Sequence, residues 1–127
     1  MVKFEENMNT QDNCCTLVPY FQVYEGKIDE FKELCPKFIE KTRQESKCLY
    51  YGFSFKENIV HCREGYEDAQ GILNHLANVE SLLKQALTIS DLIRLEIHGN
   101  EIELEKLRQP LADFKPDFFV LEYGFRK

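Results

Sequence analysis

Tryptophan is missing from the 127 residues, and with six glycines and four prolines the chain shows neither repeats nor a low-complexity tract. No Gly-rich phosphate loop, G-x-S-x-G elbow, H-E-x-x-H helix or paired-carboxylate motif occurs, which argues against nucleotide hydrolysis, serine hydrolysis and zinc proteolysis. A reaction run without a cofactor leaves almost no such signature, so that class stays open. A basic surplus is also lacking. Sixteen Lys and Arg stand against 22 Asp and Glu, a formal charge of −6, and the cations are scattered rather than gathered into a stripe. No nucleic-acid or anionic-membrane surface is expected from this balance. Apolar runs are only a few residues long, and the N-terminal MVKFEENMNTQDN carries no hydrophobic leader, so the expectation is a cytoplasmic protein.

Five cysteines are present, Cys14, Cys15, Cys35, Cys48 and Cys62, an odd number set within apolar patterns and without a C-x-x-C pair. They read as reduced core thiols rather than disulfides, and His61 and His75 give no zinc spacing, so no metal is expected. Ten Phe and six Tyr suit aromatic-rich strands.

Residues 1–13 are polar and read as a flexible arm, and 14–127 read as one domain. The stretch from Cys14 to Tyr24 has strand composition, with Pro19 pointing to an edge position or a bulge. Between Lys27 and Ser46, Ile28, Phe31, Leu34, Cys35, Phe38 and Ile39 recur at the spacing of one helical face, with Pro36 predicting a kink. Two strands follow, CLYYGFSF and IVHCREGY, joined by a Lys56-Glu57-Asn58 turn as a hairpin. A helix opening at Glu67 and Asp68 buries Ala69, Ile72, Leu73, Leu76 and Val79, breaks near Ala77 to Val79, and continues with Asn78 as a candidate cap. Asp91 to His98 reads as a strand with Ile93, Leu95 and Ile97 opposite Arg94, Glu96 and His98. Asn100 and Glu103 have capping-box spacing before a short helix, and Asp117 to Arg126 reads as a last strand.

The order β-α-β-β-α-β, with an extra C-terminal helix and strand, is the α+β, ferredoxin-like pattern of an antiparallel sheet with helices on one face. CLYYGFSF and FFVLEYGF keep both strand faces apolar or aromatic, which predicts that a second copy packs on the open face as a homodimer. A C-terminal segment folded back over that face is the alternative.

Thr42 and Glu45 (T-x-x-E), Cys48, Leu49 and Tyr51 (C-L-x-Y), Glu64 and Tyr66 (E-x-Y at a strand end) and His75 on the next helix form a pattern over Thr42 to Val79. It resembles the antibiotic biosynthesis monooxygenase-like (ABM) domain of the dimeric α/β-barrel superfamily, with weaker likeness over residues 14 to 98. The resemblance implies a dimeric barrel and, as activity, cofactor-independent oxygenation of a small aromatic or quinol compound. His75 would then be the base, Arg94 the anion stabiliser, and Tyr51, Tyr66, Glu64 and Tyr123 the substrate-binding set. Members that oxidise aromatic polyketides or degrade haem commonly carry Trp where this chain has Tyr66, a smaller platform with a hydroxyl donor. Haem, with His75 as axial ligand, is the alternative cofactor, and a non-catalytic binding or assembly module the alternative function. From the residues alone, His75 also reads as a helix-edge histidine bonded to a carboxylate. Arg94 with Glu64 or Glu96 also reads as a pair setting strand register, and the strand tyrosines as core or interface.

Overall fold

The computed structural model describes residues 9–127; residues 1–8 of the expected N-terminal arm lie outside the described residues. Five strands, β1 (Cys15–Val23), β2 (Cys48–Lys56), β3 (Ile59–Tyr66), β4 (Ser90–Gly99) and β5 (Asp117–Val120), form one sheet in the order β2-β3-β1-β4-β5. The first four pair antiparallel and β5 adds parallel to β4. Helices α1 (Ile28–Arg43), α2 (Ala69–Asn78), α3 (Glu80–Ala86) and α4 (Glu101–Arg108) complete the ferredoxin-like α+β fold with its C-terminal addition, and the sheet is open rather than closed. No helix among the described residues is long and apolar enough to cross a membrane.

Helix α1 forms where the periodicity places it because its buried stripe, Phe31, Leu34, Cys35, Phe38 and Thr42, keeps the three-and-four spacing. Asp29 and Glu30 in its first turn and Lys41 and Arg43 in its last complement the helix dipole. Phe31 and Phe38 are 1% and 5% exposed, and burying each contributes about 1.5–3 kcal/mol. They meet Phe21 and Phe53 edge-on or tilted, with ring centroids 5.6 to 6.5 Å apart. A second core cluster joins α2 and α4 to β1 and β4 through Ile72, Ile97, Leu104, Leu107 and Leu111.

Several local expectations change. Pro19 lies in the central strand, not at an edge, and the register of β1 against β4 shifts at the neighbouring Tyr20/Phe21 step. The extra residue is on β4: Ile93 falls between Arg94 and Leu92 in the pairing and is 51% exposed, so it does not share the buried face of Leu95 and Ile97. The last strand ends at Val120; Tyr123 instead makes an isolated bridge to Asn9, and Thr10 N–H donates to Glu122 O. Helices α2 and α3 meet at Val79, and Asn78 spends its side chain elsewhere, as shown below.

In β2, a register shift at Cys48/Tyr50 sets the two faces of CLYYGFSF. Tyr51 and Phe53 pack toward the helices, while Tyr50 lies on the open face across Gly65. A Cβ at Gly65 would lie 2.2 Å from the Tyr50 ring, which explains glycine there, and the Arg63 guanidinium sits 4.8 Å from the same ring. Tyr20 with His61 and the stacked His98 and Phe119 continue this face, alongside Arg94 bonded to Glu96. The side of the sheet away from the helices therefore mixes aromatic rings with charges.

Candidate functional site

The polar centre of the molecule is His75, which reaches the sheet because α2 is tied at both ends. At its start, Asp68 Oδ1 accepts from Gly71 N–H (3.0 Å) and Glu103 Oε1 accepts from Ala69 N–H (2.9 Å). Lys47 Nζ, 2.7 Å from Asp68, holds that carboxyl below its ordinary range. Glu103 thus completes only half of the expected capping box: Asn100 accepts from Glu103 N–H (2.9 Å), but the Glu103 carboxylate turns to the other helix. At the end of α2, Asn78 donates to Lys41 O (3.1 Å) and to Glu45 Oε2 (2.8 Å).

Between these anchors the imidazole is held by two carboxyl groups. Glu45 Oε2 lies 2.9 Å from His75 Nδ1. A carboxylate only accepts, so the proton resides on Nδ1 and the lone pair on Nε2. Nε2 faces Glu64 Oε1 at 3.3 Å, and that same oxygen accepts from the Tyr66 hydroxyl at 2.6 Å. The chain Glu45, His75, Glu64, Tyr66 therefore runs from the end of α1 through the core to the end of β3. His75 and Glu64 are each 3% exposed.

Burial sets the charges. It pushes the Glu64 carboxyl up to about 8, against the pull of the Tyr66 and Cys62 hydrogen bonds, and Glu45 adds to the rise. Glu64 is accordingly protonated near neutrality. Burial also lowers the His75 imidazole from its ordinary value, outweighing Glu45, so His75 is neutral. A neutral base and a protonated acid thus sit in contact. The thiols are raised by burial, Cys48 to about 11, and carry little thiolate for chemistry.

Beside this chain lies a cavity of about 50 Å³ between helices and sheet. His75, Glu64, Tyr51 and Cys62 are the titratable groups that line it, and Phe38, Leu111 and the exposed Phe114 are among its apolar walls. Among the described residues no cluster of His, Cys, Asp and Glu is arranged to hold a metal ion.

Four expected site residues are brought together: His75, Glu64, Tyr66 and Tyr51, with the Tyr51 and Tyr66 rings each 5.3 Å from the imidazole. Arg94 is not among them. Strand β4 lies beyond β1 from β3, and Arg94 projects from the open face, paired with Glu96 and with Asp117 (3.3 Å), so it cannot neutralise Glu64. Tyr123 is 67% exposed in the C-terminal segment, away from the cavity. Glu45 and Asn78 were not expected as site residues. The T-x-x-E spacing put Glu45 one turn past Thr42, but only the fold brings that turn against α2.

No protein-family model matches the chain, and no curated protein matches it. Solved structures do. MupZ from Pseudomonas fluorescens is 49% identical over 91% of this chain and 96% of its own, with a TM-score of 0.88. A protein of Nitrosomonas europaea provisionally named an antibiotic biosynthesis monooxygenase is 15% identical over 72% of this chain and 94% of its own, with a TM-score of 0.65. An antibiotic biosynthesis monooxygenase of known structure is 19% identical over 65% of this chain and 92% of its own, with a TM-score of 0.58. At such identities the last two share the fold alone.

Proposed function

Because the chain has the fold of antibiotic biosynthesis monooxygenase-like structures, we propose that it is an enzyme moving protons on a small, mostly apolar molecule, with cofactor-independent oxygenation of a phenol or quinol as its reaction. The observation that carries this reading is the buried acid–base pair, His75 Nε2 facing Glu64 at 3.3 Å beside an apolar cavity. A phenol that displaces this long contact meets the Nε2 lone pair at hydrogen-bonding range and gives up its proton there. Glu45, pinning Nδ1, stabilises the imidazolium that forms. The electron-rich phenolate then reduces O2, a carbon–oxygen bond forms, and the peroxide oxygen takes a proton from Glu64. Loss of water, which takes the hydrogen of the oxygenated ring carbon, leaves a quinone, and His75 returns the phenolic proton to Glu64, so one O2 is consumed and one water released for each phenol. Tyr66, donating to Glu64, holds the acid in place.

Both ring nitrogens of His75 face carboxyl groups and the cavity is small, which supports the reading without haem. A second copy on the open sheet face is the proposed partner, and five free thiols suit a cytoplasmic setting.

The test is oxygen uptake by the purified chain across phenols, quinols and catechols. Consumption that falls about 10²- to 10⁴-fold in His75→Ala is expected. Uptake that is absent across the panel, or unchanged in that variant, contradicts the proposal.

A further inference from the structure

A second, larger cavity of about 260 Å³ opens at edge strand β2, between the last turn of α1 and the first residues of the strand. Thr42, Arg43, Cys48 and Leu49 line it, and Tyr51 lines both it and the chamber beside His75. Tyr51 is therefore the partition between the two spaces, with its ring 5.3 Å from the imidazole. The inner chamber, at about 50 Å³, has room for little more than water, so an aromatic ring enters only if a wall moves.

Two features mark what the outer cavity is built to hold. Thr42 is 1% exposed, yet its Oγ1 has no well-formed hydrogen bond among the described residues, with the Tyr51 hydroxyl as its polar neighbour. A buried hydroxyl left this way is destabilising unless a visiting group satisfies it. Arg43 is exposed on the rim and forms no ion pair among the described residues, in a chain whose net charge is −6. A guanidinium without a carboxylate beside an unsatisfied hydroxyl is a receptor for an oxyanion.

We propose that this outer cavity is the vestibule of the enzyme and that it binds the carboxylate end of the substrate, Arg43 taking the charge and Thr42, uncovered when Tyr51 moves, donating to an oxygen. The apolar, reacting end passes Tyr51, which swings aside, to reach His75. The substrate class narrows to small aromatic acids. This assignment rests on the function proposed above for His75.

The experiment compares para-hydroxyphenylacetate with its uncharged amide. The chain has no Trp, so Leu49→Trp on the vestibule wall supplies a single fluorophore whose response reports binding there. The acid is expected to bind about tenfold more tightly than the amide, a preference that drops to near unity when Arg43→Gln is added. Calorimetry on the chain without the reporter, with and without Arg43→Gln, repeats the comparison in case the indole blocks the cavity. Equal affinities, no binding of either compound by both methods, or a preference surviving Arg43→Gln overturns the vestibule. Binding is read without turnover. An intact preference in a chain that consumes no oxygen thus removes the reaction and keeps the site, whereas turnover indifferent to Arg43 does the reverse.

Discussion

Replacing Glu64 by Gln should stabilise this protein, and increasingly so as the pH rises. The Glu64 carboxyl titrates at about 8 in the folded chain against an ordinary 4.5, so the folded state holds a proton that the unfolded state releases. Folding is therefore unpenalised below about 4.5, loses stability through the interval up to about 8, and loses no more above it. Each pH unit costs about 1.4 kcal/mol, so the penalty at pH 7 is about 3 kcal/mol. Glutamine keeps the oxygen that accepts from Tyr66 and carries no charge to desolvate. For a chain of this size, about 3 kcal/mol is a rise in melting temperature of about 10 °C. Paired urea titrations of the two proteins in steps from pH 5 to 8 isolate the effect, because most other groups titrate alike in both. A stability difference that stays flat across that range would refute the burial argument, as would a destabilised glutamine variant at pH 8.

Other perturbations probe the supports of the site. Glu45→Gln should leave the fold intact while lowering turnover, because Nδ1 loses the carboxylate that stabilises the imidazolium; unchanged kcat would dismiss Glu45 as a positioning residue. Glu103→Ala removes the acceptor for Ala69 N–H at the buried start of α2 and should cost about 1–3 kcal/mol in denaturant melts, with Glu103→Gln recovering most of it. Gly65→Ala drives a methyl into the Tyr50 ring and should cost about 1 kcal/mol, a loss that disappears in a Tyr50→Ala background; equal costs in both backgrounds would show that the ring is not the obstacle. Light scattering should return twice the chain mass, and a charge placed on the open face by Val18→Glu should return the monomer if a second copy covers that face.

The fold was legible where an element carries a clear period of its own. The stripe through Phe31, Leu34 and Phe38 and the alternation of Val60, Cys62, Glu64 and Tyr66 dictate which side of each element is buried, and those assignments depend on local sequence alone. What stayed hidden needed pairing. Ile93 looks like the partner of Leu95 until an extra residue in β4 turns it out, and a bulge leaves no mark on a two-residue alternation. Pro19 was compatible with an edge or a bulge, and only the neighbours of β1 decide. Arg94 was the natural cation for Glu64 by composition, yet strand order and face separate them. His75, Glu64, Tyr51 and Tyr66 were reachable from the sequence through the family pattern. Glu45 and Asn78 acquire roles only once the end of α1 lies against α2, a contact between residues 30 and 33 positions apart.

The account turns on His75 being a neutral, oriented base. Heteronuclear NMR of its ring nitrogens at pH 7 should show Nδ1 protonated and Nε2 bare, with that state persisting as the pH falls through 6.5, the ordinary imidazole value. An imidazolium at pH 7, with both nitrogens protonated, would contradict it.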